Sequence, residues 1–209
     1  MSVLIRKISI GKWRDYCRES SDKRGFLYRL FGIPRYSAPA DAITNCLKTT
    51  NNQLSMWLLP DEEKLNDVLL ALCTGTKSSG VSTIDYISID TADLDAIGLS
   101  YLQSSDDADT AIPALKELHY DVSGFDYRTL GLFQDIIVQR VKQGQTIRKR
   151  DTQLKPIVKK AIEESRFDFA LLSDEYKKYL KKVFPCEAGI PDVVKDPLVC
   201  PHCGEPVLR

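Results

Sequence analysis

The chain has 209 residues, 43% hydrophobic and 28% charged, with 29 Lys+Arg against 29 Asp+Glu. That length supports one good core, or one core plus a small appendage, and the composition excludes disordered and fibrous classes. No run approaches the roughly 18 apolar residues of a membrane span, so no membrane partner is expected.

Val3–Ile5 is the one apolar run near the start, too short for a signal-peptide core. A cytoplasmic location follows as the expectation, with the six cysteines kept as thiols or metal ligands rather than disulfides. The zero net charge hides a segregation: residues 1–60 carry a net +6, residues 61–126 a net −11, residues 127–182 a net +7, and the tail a net −2. Either the regions neutralise each other in the fold, or the basic ones form a surface for an anionic partner.

In chain order, Ser2–Ile10 alternates loosely, with Val3, Ile5, Ile8 and Ile10 around Arg6 and Lys7, and predicts a first strand. Gly11–Tyr36 interleaves aromatic and basic residues. Arg14, Arg18, Lys23, Arg24 and Arg29 stand there as candidate phosphate contacts, with rings able to stack on unpaired bases. The competing reading is an amphipathic helix with Phe26, Leu27, Leu30 and Phe31 inward and the cations solvated. Asp41–Lys48 predicts a short helix.

The stretch around which the rest is organised is Gln53–Asp90, which predicts strand, helix, strand. Leu54, Met56 and Leu58 share one face of a period-2 run, then Leu65, Val68, Leu69 and Leu72 recur at helical spacing, and Val81–Asp90 returns as a strand. Asp61, with Glu62 and Lys64, offers the residue types of metal-dependent nucleases of the PD-(D/E)xK kind. Their adjacency at a helix start suits capping and the helix dipole instead. Gly75–Gly80 has glycines and a lysine but follows a helix and enters a strand, the reverse of a phosphate loop.

Thr91 caps a short helix with Leu94, Ile97 and Leu99, and Asp93 in its first turn. Asp106, Asp107 and Asp109 sit in an acidic loop without the spacing of a calcium site. From Ile112 the pattern predicts a helical subdomain. Its lone His119 has no nucleophile motif beside it, so no catalytic residue is assigned. Asp126 caps a long helix that Gly144 stops. Arg148, Lys149 and Arg150 lie in the next connection as further candidate nucleic-acid contacts. Leu154, Ile157, Val158, Ala161 and Ile162 mark another helix, with Pro156 placed in its first turn. Ser173 begins the last one, with Tyr176, Leu180 and Phe184 inward.

In the tail, Cys200-Pro-His-Cys203-Gly204 resembles one knuckle of a zinc ribbon, where two thiolates two residues apart bind one ion and the glycine permits the tight turn. Structural zinc takes four ligands. Cys186 is the nearest third candidate, and a shared ion between two chains would make the tail a dimer clasp. Cys46 and Cys73 fall on apolar helix faces as core thiols.

These observations predict an α+β fold: a sheet-containing core over residues 1–110, a helical subdomain over 111–184, and a Cys-containing tail over 185–209. The function they favour is a non-enzymatic interaction or regulatory subunit with a structural zinc on Cys186, Cys200 and Cys203, acting on another protein or on itself as an oligomer. The first alternative is nucleic-acid binding through residues 11–36 and 140–160. The second is a metal-dependent hydrolase or nuclease using dispersed acids such as Asp61, Asp85 or Asp90.

Overall fold

The structure, a computed structural model, describes residues 2–17, 40–185 and 190. It is an α+β fold built on one six-stranded sheet in the order β4-β5-β2-β1-β3-β6, with every neighbouring pair antiparallel. The strands are β1 (Val3–Ile8), β2 (Leu54–Leu59), β3 (Ile84–Asp90), β4 (Ser100–Gln103), β5 (His119–Ser123) and β6 (Thr146–Lys149). The helices are α1 (Ile10–Cys17), α2 (Ala40–Cys46), α3 (Leu65–Cys73), α4 (Thr91–Ala96), α5 (Tyr127–Lys142), α6 (Asp151–Glu163) and α7 (Asp174–Val183). No helix among the described residues is long and apolar enough to cross a membrane.

The expected strand–helix–strand unit is β2, α3 and β3. Both strands run antiparallel to β1, which lies between them, so α3 carries the chain over β1 from one parallel strand to the next. Alternation along β1 then dictates two cores. Ile5 faces α3, α6 and α7 together with Trp57, Ile84 and Tyr86. Leu4 and Ile8 face the other way, with Trp13, Met56, Ile87, Ile89 and Phe133, under α1, α2, α4 and α5. Helices therefore cover both faces of the sheet.

Local chemistry sets the helix starts. Asp126 accepts the Thr129 amide at 2.7 Å and Ser173 accepts the Tyr176 amide at 3.1 Å, both caps expected from sequence. Thr91, expected as a cap, is instead the first residue of α4, with Asp90 before it and no side-chain cap bond. Gly144 has φ 71 just past α5, a conformation glycine adopts without a Cβ penalty. Arg140 reaches from α5 to Asp90 at 2.9 Å and Asp93 at 2.6 Å, tying that helix to β3 and α4.

Three strands differ from the expected organisation. Residues 111–184 were expected to be helical, yet His119–Ser123 and Thr146–Lys149 join the same sheet as β5 and β6, and Ser100–Gln103 adds its edge as β4. The leucines at 115 and 118 suggested a continuing helix. They belong to a 3-10 turn, Pro113–Leu118, that ends at His119. Helix α6 begins at Asp151, so Pro156 lies in its second turn rather than its first. Pro156 and Thr152 are both exposed, so the carbonyl left without its helical donor faces water.

Cys46 and Cys73 are buried free thiols. Burial pushes the Cys73 thiol up to about 12, while nearby Lys7 pulls it the other way. A raised acid pKa means stabilisation that is complete below the unfolded value of about 8.5 and fades as pH rises toward the folded one. Native Cys73 should therefore resist iodoacetamide at about pH 8, read by mass spectrometry. Between about pH 8 and about pH 10.5, the Cys73→Ala chain should lose less urea stability than the parent.

Candidate functional site

The sheet forks at its centre. β1 and β2 share three rungs, Val3↔Leu59, Leu4↔Leu58 and Ile5↔Trp57. Beyond Ile5, β1 stays with β3 as far as Ile8↔Asp85, and β2 stays with β5 as far as Leu54↔Val122. Two central strands thus part company with backbone groups facing the gap. Main-chain carbonyls freed from strand and helix pairing need donors, and one side chain supplies them to a part-buried carbonyl and an exposed one. Arg6 places Nη1 at 2.6 Å from the Ser55 carbonyl, and Nε and Nη2 at 3.0 and 2.7 Å from the Cys46 carbonyl. Cys46 ends α2, so its carbonyl is among those a helix leaves without an internal partner.

Arg6 occupies a position that the alternation of β1 gives to Leu4 and Ile8 on either side. It is half-buried, and its partners are neutral carbonyls; no carboxylate pairs with it among the described residues. Burial pushes the guanidinium down to about 10, with the adjacent Cys46 thiol opposing that shift. The result is a cation held at the mouth of the fork without a counter-charge.

A cleft of about 380 Å³ opens there. Arg6, Lys7 and Ser9 line it from β1 and the following turn, Asn45 and Cys46 from α2, and Ser55 and Trp57 from β2. The opposite wall is Ala71, Leu72, Gly75 and Ser78 with Asp107, Asp109 and His119. A second cleft of about 280 Å³ meets it at Arg6, Ser55 and Asp107, and extends to Lys48 and Asp121.

The far wall is pre-set by its own hydrogen bonds. Asp109 accepts the Thr76 amide and hydroxyl, both at 2.7 Å, which fastens the acidic loop to the turn after α3. Asp107 accepts from Ser104 Oγ at 3.1 Å. His119 is buried with its ring edge-on to Trp57 at 5.2 Å, and its Nδ1 lies 2.7 Å from the Ser104 carbonyl. A ring nitrogen facing a carbonyl must carry the proton, so in the neutral ring Nε2 is an acceptor. Ser55 Oγ donates to the buried Asp121 at 3.2 Å.

The residues expected from sequence lie elsewhere. Arg148, on edge strand β6, grips Asp85 with two bonds of 2.6 and 2.9 Å. Lys149 is half-buried, and Arg150 is exposed with its amide bonded to Gln153 Oε1 at 3.0 Å. The side chain of Arg14, together with Arg18, Lys23, Arg24 and Arg29, lies outside the described residues, as do Cys186, Cys200 and Cys203. Among the described residues no group of three or more His, Cys, Asp or Glu could hold a metal ion. Asp61 caps the turn after β2 by accepting the Lys64 amide at 3.0 Å, while Asp85 and Asp90 are held by Arg148 and Arg140.

Arg6, Lys7, Cys46, Asp107 and His119 are not legible in the sequence as one site, because four separated segments supply them. The available signal was Arg6 itself, a cation at an inward position of an apolar strand. No family model, curated protein or solved structure matches this chain.

Proposed function

We propose that the chain is a binding or regulatory subunit that takes up a small anionic ligand in the fork between β1 and β2. The observation behind this reading is the Arg6 guanidinium, bonded to carbonyls alone and fronting a cleft it shares with Lys7. Three of its five N–H groups are engaged in those bonds, which leaves donors and a full charge for an incoming oxyanion. The desolvation that lowers its pKa works against the charged form, and an anion beside it offsets that cost. A cleft of about 380 Å³ is in the range that small-molecule sites occupy.

Nucleic-acid binding through residues 140–160 is the weaker proposal, since Arg140 and Arg148 are both occupied by carboxylates. The zinc proposal stands beside the anion site as a structural feature of the tail, on Cys186, Cys200 and Cys203. Elemental analysis with light scattering should find about one zinc per monomer, or about half per chain in a dimer, lost in Cys200→Ser/Cys203→Ser. Metal missing from both proteins would remove it.

The anion site is tested by calorimetric titration with inorganic phosphate, pyrophosphate and citrate. Lys7 is exposed and lines the cleft, so Lys7→Gln should weaken the best of these about tenfold with urea stability unchanged. If none of the three anions binds the parent chain, the reading is wrong.

A further inference from the structure

The cleft carries both signs of charge, and they do not meet. Among the described residues, Arg6 and Lys7 have no carboxylate partner and Asp107 has no cation, although Arg6 and Asp107 line both clefts. Unlike charges that stay apart across a cleft are each left with unmet capacity for an opposite charge or a hydrogen bond. A ligand that is only an anion satisfies the cations and meets repulsion at Asp107. A ligand that is only a cation does the reverse.

Resting on the anion reading above, we infer that the ligand is zwitterionic, of the amino-acid class, with its carboxylate at Arg6 and Lys7 and its ammonium at Asp107 and His119. The acceptor wall has the right chemistry for an ammonium. Asp107 can only accept, and His119 Nε2 accepts because Nδ1 is committed to the Ser104 carbonyl at 2.7 Å. An ammonium brings three donors and no acceptor, the complement of that set. Asp109, held by Thr76, keeps the acceptor loop in place rather than contacting ligand. A guanidinium fork matches a carboxylate with two parallel bonds.

Charge balance agrees. Arg6 and Lys7 balance Asp107 and Asp109, so a neutral zwitterion enters without adding net charge to a partly desolvated space. A phosphate monoester would leave it negative. Trp57, Ala71 and Leu72 give the cleft an apolar side, which selects a ligand with an apolar or aromatic side chain over glycine.

The experiment compares L-phenylalanine with its two halves, 3-phenylpropionate and 2-phenylethylamine, by titration calorimetry on the full chain, with inorganic phosphate alongside. The expected result is that phenylalanine binds about tenfold or more tighter than either half. Asp107→Asn, on an exposed loop residue, should bring phenylalanine down to the level of 3-phenylpropionate and leave 3-phenylpropionate itself no weaker. Phenylpropionate binding as tightly as phenylalanine would overturn the zwitterion and leave the anion site standing. Phenylethylamine binding as tightly as phenylalanine, or no binding by any carboxylate or by phosphate, would overturn both.

Discussion

Replacing Arg6 by Met is expected to lower unfolding stability by about 2 kcal/mol and to abolish anion binding. Two opposing contributions set that figure. The substitution leaves the carbonyls of Cys46 and Ser55 without their donor at the fork. The Ser55 carbonyl lies at an exposed bond where water replaces the donor, whereas the part-buried Cys46 carbonyl loses both of its bonds, and an acceptor left unsatisfied away from water costs about 1–3 kcal/mol. Against this, a charge whose ionisation burial already disfavours is removed, and replacing buried charge by an apolar chain of similar length can be neutral or favourable. The carbonyl loss wins because methionine cannot bond the Cys46 oxygen, which stays part-buried beneath the new side chain. Arg6→Lys separates the two roles. It keeps the cation but lacks the planar fork needed to bridge Cys46 and Ser55 together. Its expected behaviour is anion binding weakened by roughly an order of magnitude, with stability between parent and Arg6→Met. Urea unfolding of all three chains, with and without phosphate, reads both quantities. Parent-like stability in Arg6→Met would show that the fork holds without the guanidinium.

The same residue shows what the sequence made legible and what it did not. Elements governed by nearby residues were readable: β1 from its alternation, β2–α3–β3 from two changes of period, and the caps at Asp126 and Ser173 from single side chains. Strands governed by distant partners were not. Thr146–Lys149 has two cations in four residues and looks like a linker; it becomes a strand because Ile147 and Arg148 lie beside Tyr86 and Asp85 on β3. His119–Ser123 follows leucines at helical spacing, and its identity comes from pairing with Leu54–Trp57. The site suffered most, since it exists where two strands fail to pair. No local pattern announces that β1 leaves β2 after Ile5, and the chemistry facing the gap comes from four segments of the chain. An arginine at an inward strand position is the trace such a gap leaves in sequence.

Phe133→Ala should cost more stability than any change at the cleft while leaving ligand affinity intact. Phe133 is fully buried on α5, edge-on to Phe125 at 5.6 Å, within the core that Leu4, Met56, Ile87 and Ile89 form on the α5 side of the sheet. Truncating a buried phenylalanine costs about 3–5 kcal/mol, from lost transfer free energy and the cavity left behind. That is a large share of the 5–15 kcal/mol of a typical domain. Phe133 lines neither cleft, and the wall bearing Asp107, Asp109 and His119 is fixed by bonds to Ser104 and Thr76 rather than by this core. In dilute buffer, where the variant stays folded, its dissociation constant for phosphate should remain within about threefold of the parent. The two variants then form a contrast: Phe133→Ala gives a large stability loss with binding kept, and Arg6→Met gives a smaller loss with binding gone. A parallel fall in affinity for Phe133→Ala would mean that the fork is held open by the core beneath α5. In that case the divergence of β1 from β2 would be a property of packing, with Arg6 filling a gap that the helices make.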